Sequence, residues 1–212
     1  MRAAAPQGVP RSQSAASGRT WRATSDGART RQSATAPRTP AGPELARILI
    51  VGCGCRGQGL ARELRAAGHA VRGTTRDPGR LTAIEAVGAD AVQADPDRLG
   101  TVLMQLPGVT VVCWLMGSAG GDPEQVEALH GDRLRSLLAK LVDSGVRGLV
   151  YEGAGTVDAS LFRDGAELTR QAGEASMMPV AVIEEGPTDP SGWLRAARAA
   201  VDHVLGAEPG VA

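Results

Sequence analysis

The chain has 212 residues, with 23 Lys+Arg against 23 Asp+Glu. That length allows one domain plus a tail, and the charge balance singles out no partner. Apolar residues make up 42% and aromatics only 2%, so a core must be built from Val, Leu, Ala and Ile, and no apolar run approaches the ~20 residues of a membrane span.

The first 43 residues hold seven Arg and one acid, Asp26, and no Leu, Ile or Phe. Such a segment buries too little to offset the entropy of ordering it, and residues 1–43 are expected to form a disordered basic extension. An Arg- and Ser-rich, acid-poor segment also fits an organelle transit peptide. As a nucleic-acid arm it offers only a weak, salt-sensitive attraction, so no nucleic-acid partner is expected. The folded domain is expected over 44–212.

From Arg47 onward, short β-type runs alternate with helical ones. Ile48–Val51 reads as strand one. Gln58–Ala67 is a helix with Leu60, Ala61, Leu64 and Ala67 on one face, stopped by Gly68. Ala70–Thr75 is strand two, a short helix covers about 79–87, and Ala91–Ala94 is strand three. A helix over 97–105 leads to strand four, Val109–Met116. Pro123–Ser144 reads as the longest helix, with Leu129, Leu134, Leu137, Leu138 and Leu141 in register, and Gly145 behind it. Val146–Tyr151 is strand five, a helix lies near 164–176, Pro179–Ile183 is strand six, and Ser191–Leu205 is a closing helix.

Strands apolar on both faces, in strict alternation with helices, imply an α/β fold: a three-layer, doubly wound parallel sheet. The expected strand order is 3-2-1-4-5-6, as in the Rossmann fold, with ligands beyond the C-terminal strand ends where the order reverses. Three segments meet there, after Val51, after Thr75 and after Leu115.

The first of these carries G-x-G-x-x-G at Gly52, Gly54 and Gly57, between a strand and a helix as a dinucleotide fingerprint requires. Gly52 permits the tight turn, Gly54 lets backbone approach a diphosphate, and Gly57 lets the helix pack on the strand. The helix N-terminus then offers free N–H groups to the phosphates. At the end of strand two, where an NAD site places Asp or Glu, the sequence is Thr74-Thr75-Arg76. Thr75 and Arg76 suit a ribose 2′-phosphate, and Arg56 inside the loop supplies a second guanidinium. The expected cofactor is NADP(H), with NAD(H) possible.

Cys53-x-Cys55 lacks metal-ligand spacing; the thiols either form a redox pair activated by the helix N-terminus or are small residues packed beneath the loop, and Cys55 belongs to the expected binding loop. Three cysteines in all, an odd and small number, fit a reduced cytoplasmic protein better than a disulfide-stapled one. His130 and Asp132 read as a solvated helix face rather than a catalytic pair. Glu152, at the end of strand five on the ligand side, is the candidate acid/base.

Gly52-Cys-Gly-Cys-Arg-Gly, Leu60-Ala-Arg-Glu-Leu, Gly68-His and Val71-Arg-Gly-Thr-Thr-Arg resemble atypical short-chain dehydrogenase/reductase proteins, the NAD-dependent epimerase/dehydratase-like group with a GCGYxG-type loop. The resemblance covers about residues 47–205. It implies that Asp95 sits near the adenine and that Trp114, unless it is simply core, walls the nicotinamide pocket. It also implies an oxidoreductase or epimerase-like activity on a small-molecule substrate, and a homodimer through the long helix. The family's Tyr-x-x-x-Lys pair is missing: Tyr151 is the single tyrosine, position 155 is Gly, and Lys140, the single lysine, lies upstream. Without that pair the usual proton donor is absent. A non-catalytic redox sensor or regulatory module is therefore the alternative.

Overall fold

The computed structural model describes residues 45–206, and the extension expected over 1–43 lies outside the described residues. Strands β1 (Arg47–Val51), β2 (Ala70–Thr75), β3 (Asp90–Gln93), β4 (Val111–Trp114), β5 (Gly148–Glu152) and β6 (Val180–Ile183) form one sheet, in the order β3-β2-β1-β4-β5-β6. Every pairing is parallel, as the sequence led us to expect.

The strands alternate between two cores. Ile48 and Ile50 of β1, Val111 and Cys113 of β4 and Val150 of β5 face one layer of helices. That layer holds α1 (Cys55–Ala66), α2 (Leu81–Glu85) and α7 (Pro190–Val204). Leu49, Val51, Val112, Trp114, Leu149 and Tyr151 face the other, made of α3 (Leu99–Leu103), α4 (Pro123–His130), α5 (Asp132–Leu141) and α6 (Ala159–Ser176). Burial on both faces is what an all-parallel sheet requires.

Two helices and one side chain differ from their expected form. The helix read as Pro123–Ser144 is two helices, because Gly131 leaves the helical region at φ −114, ψ −103. Glycine is the residue most easily bent out of a helix, and the longest helix is instead the 18-residue α6. The first helix begins at Cys55, earlier than the apolar period shows, so Arg56 and Gly57 lie in its first turn. His130, expected on a solvated face, is 1% exposed. The break at Gly131 turns it inward, where its Nδ1 and the Tyr151 hydroxyl share a 2.7 Å hydrogen bond and Phe162 packs edge-on at 5.1 Å. Asp132, beyond the break, stays exposed.

Burial holds His130 neutral, lowering its pKa from 6.5 to about 4, and pushes the Tyr151 phenol upward. The unfolded chain therefore takes up the His130 proton first as pH falls, which favours unfolding. Stability should drop by about 3 kcal/mol between pH 6.5 and pH 4, read by urea denaturation across that range. A His130→Phe variant should lose that slope; an unchanged slope would show that His130 is not its source.

Candidate functional site

At Gly52 the chain leaves β1 with φ +84, and a Cβ there would lie 2.4 Å from the Leu115 carbonyl oxygen. That side-chain-free passage lets the turn into α1 abut the end of β4. Cys53 N–H donates to the Thr74 carbonyl at 2.8 Å and Gly52 N–H to Thr74 Oγ1 at 3.4 Å, which ties the same turn to the end of β2. Gly57 faces the β1 end, with Gly52 O at 3.2 Å and the Ile50 methyl at 3.3 Å from its would-be Cβ. Above Gly54 there is open space to 4 Å.

These turns frame a cleft of about 450 Å³, within the usual range for a small-molecule site. Gly52, Gly54, Thr75 and Arg76 line it as expected from sequence, together with Arg80, Ala94, Pro96, Leu115, Met116, Leu129 and the 118–120 loop. The helices α4, α6 and α7 are each capped by an aspartate, Asp122, Asp158 and Asp189. α1, with Gly54 as its N-cap, has no side-chain cap, like α2, α3 and α5, and no acid in its first turn. Its free N–H groups and partial positive charge face the cleft, the arrangement that binds phosphate.

The mouth of the cleft carries Arg76, whose guanidinium donates to the Gly120 carbonyl at 2.9 Å and lies 3.8 Å from Asp97. The acid beside it, Asp77, is engaged: one oxygen accepts from Gly79 N–H at 2.9 Å and the other is 3.5 Å from Arg80.

Other expected site residues lie elsewhere. Trp114 is fully buried among the α4–α6 side chains, and its indole N–H donates to the Leu129 carbonyl. It shares the strand face of Val112, so it is core, and Met116 reaches the cleft in its place. Asp95 caps the turn after β3 through Asp97 N–H, while its neighbours Ala94 and Pro96 line the cleft. Cys55 is exposed on the first turn of α1. Cys53 is buried and its thiol is pushed up to about 12, which suits packing and not redox activation.

Arg56 does not join Arg76. Its guanidinium lies 2.9 Å from Glu152 Oε1 and 5.4 Å from the Trp193 ring centre. Glu152, expected as an acid/base on the ligand side, is 1% exposed and absent from the lining of the cleft. It follows the strand parity of Val150, toward α7. Trp193 Nε1–H donates to Oε1 at 3.0 Å and Gly117 N–H to Oε2 at 2.6 Å. Burial raises the pKa of this carboxyl, opposed by Arg56, the Gly117 N–H and the Trp193 N–H. Gly117 is gripped from its other side too, since Thr156 N–H donates to its carbonyl at 2.7 Å. The segment after Leu115 was expected at the ligand end, and Met116, Ser118, Ala119 and Gly120 of it line the cleft; Trp193 and the role of Gly117 were not singled out from sequence.

The family described as NAD(P)H-binding matches residues 52–181. No curated protein matches the sequence. Among solved structures, a Bacillus halodurans protein assigned as an NAD-dependent epimerase/dehydratase superposes with a TM-score of 0.57 at 16% identity, over 67% of this chain and 71% of that one. A Corynebacterium glutamicum protein assigned as a short-chain dehydrogenase/reductase gives 0.55 at 19%, over 76% and 93%. A Citrobacter triphenylmethane reductase complexed with NADP(H) gives 0.50 at 15%, over 65% of this chain and 48% of that one, so this chain spans about half of that enzyme. These likenesses show the fold, a Rossmann-type α/β fold with strand order 3-2-1-4-5-6. No helix among the described residues is long and apolar enough to cross a membrane.

Gly52 and Gly54 should respond differently to one added methyl. Gly52→Ala meets both the left-handed backbone and the Leu115 carbonyl, and should cost about 2 kcal/mol or more in thermal unfolding. Gly54→Ala should unfold like the wild type yet bind NADPH more weakly by calorimetry. Unchanged binding would mean that the backbone is not approached there.

Proposed function

This chain belongs to the NAD(P)H-binding family, and on that premise we propose that it is an NADP(H)-dependent oxidoreductase or epimerase-like protein acting on a small molecule without a Tyr-x-x-x-Lys pair. The observation that carries the NADP preference is Arg76 at the end of β2, lining the cleft beside Thr75, while the adjacent Asp77 is spent on Gly79 and Arg80. A ribose 2′-phosphate meets two guanidiniums there, Arg76 and Arg80, and no free carboxylate to accept from a 2′-hydroxyl. The uncapped start of α1 suits the diphosphate. Ala94, Pro96 and Leu129 offer an apolar wall to the base.

A bound nicotinamide would supply hydride chemistry; what this chain adds is position and shielding from water. The residues that could move a proton are committed. Tyr151 is buried against His130, and Lys140 lies on α5, away from the cleft lining. For Glu152 to exchange a proton with a substrate, Arg56 and Trp193 would first have to release it. That specific commitment favours the second reading, a dinucleotide-binding redox sensor or regulatory module without turnover. The small-molecule substrate, a homodimer across α4 and α5, a cytoplasmic location and a 44–212 domain free of nucleic-acid partners belong to the same proposal.

Calorimetric titration with NADPH and NADH tests the cofactor reading. Arg76→Ala should weaken NADPH by roughly 10- to 100-fold, the worth of a charge-assisted contact, and leave NADH nearly unchanged. Equal losses for both would sink the NADP assignment. NADPH oxidation against a panel of carbonyl and sugar-nucleotide substrates separates enzyme from sensor.

A further inference from the structure

We propose that Arg56 is a direct ligand for the dinucleotide's diphosphate and that Glu152 is a positioning residue that holds Arg56 in place, an inference that rests on the cofactor reading above. Arg56 is the second residue of α1, inside the glycine-rich turn and beside the uncapped helix N-terminus. One guanidinium nitrogen lies 2.9 Å from Glu152 Oε1, and the Trp193 ring sits beneath the group. Its remaining N–H groups meet no acceptor among the described residues. The side chain is 21% exposed, so an edge of the cation stays open to a ligand; it is not among the residues lining the cleft, but Gly54, two positions before it, is.

Its anchor does not move freely. Glu152 is held by the Trp193 indole N–H and by the Gly117 amide, from two different elements. A long, flexible arginine is thereby fixed before any ligand arrives, so less ordering is left to binding. The two cationic groups then divide the dinucleotide between them. Arg76 and Arg80 stand at the end of β2, on the adenosine side. Arg56 reaches toward the end of β5, where Glu152 lies, and so meets the phosphate nearer the nicotinamide ribose. On this reading Glu152 acts through Arg56 and not on substrate.

Calorimetry on the full chain tests this with two probes, NADPH and adenosine 2′,5′-bisphosphate, which keeps the 2′-phosphate but lacks the phosphate next to the nicotinamide ribose. Arg56→Ala should weaken NADPH by about tenfold or more and leave the bisphosphate within about twofold. Arg56→Lys should recover part of the loss. Glu152→Gln should weaken NADPH selectively too, and the double variant Arg56→Ala/Glu152→Gln should bind no more weakly than Arg56→Ala alone, because the second change acts through the first. Unchanged NADPH affinity in Arg56→Ala, equal loss of both probes, or additive losses in the double variant would overturn the proposal. Should Glu152→Gln fail to fold, the two Arg56 variants decide. Wild-type protein that binds NADPH with Arg56→Ala unaffected overturns this inference alone; wild-type protein that binds neither probe overturns the cofactor reading with it.

Discussion

The carboxylate of Glu152 is where four separately encoded segments meet: the end of β5, the loop after β4 through Gly117, the first turn of α1 through Arg56, and α7 through Trp193. Burying a carboxylate is costly unless it is paired and hydrogen-bonded. Here burial raises its pKa and three donors oppose that rise. Each donor is therefore a condition on the others, since removing one leaves a buried charge short of partners. That mutual requirement fixes the elements around the C-terminal ends of β1, β4 and β5 relative to one another.

The cleft itself follows from backbone passing close to backbone. Gly52 lies against Leu115, and Gly117 against Gly155, whose would-be Cβ would stand 1.8 Å from the Gly117 carbonyl oxygen. The first contact lies where the strand order reverses between β1 and β4, the place where doubly wound sheets bind ligands; the second joins the loops after β4 and β5. Capping then differentiates the helix ends. The N-termini of α4, α6 and α7 are satisfied by their own aspartates, whereas those of α1, α2, α3 and α5 have no side-chain cap, and that of α1 opens on the cleft at Gly54.

The fold was readable because parallel strands buried on both sides are continuous apolar runs, and Gly68 and Gly145 marked the ends of helices. β2 appeared at its expected residues, and the strand order came from alternation alone. The Gly131 break was hidden because Leu134, Leu137, Leu138 and Leu141 keep a helical phase on their own, and a period says nothing about the backbone angles of one residue. Of the site, the part carried by local sequence was legible: the turn at Gly52 and Gly54, and Thr75-Arg76 after β2. For Trp114 the sequence left core and cofactor wall open, and its parity with Val112 puts it in the core. The pairing of Arg56 with Glu152 and Trp193 joins residues from the first and last helices, and no spacing in the chain encodes it.

That last pairing also gives the protein a calendar. α7 packs beside α1, with Arg198 reaching the Glu63 carbonyl at 3.4 Å, and it carries Trp193 to the buried carboxylate. The glycine turn is synthesised well before α7, the helix that carries the indole steadying its arginine. A chain still emerging from the ribosome can build β1 to β5 and remain without that support. Full order around Arg56 therefore waits for α7.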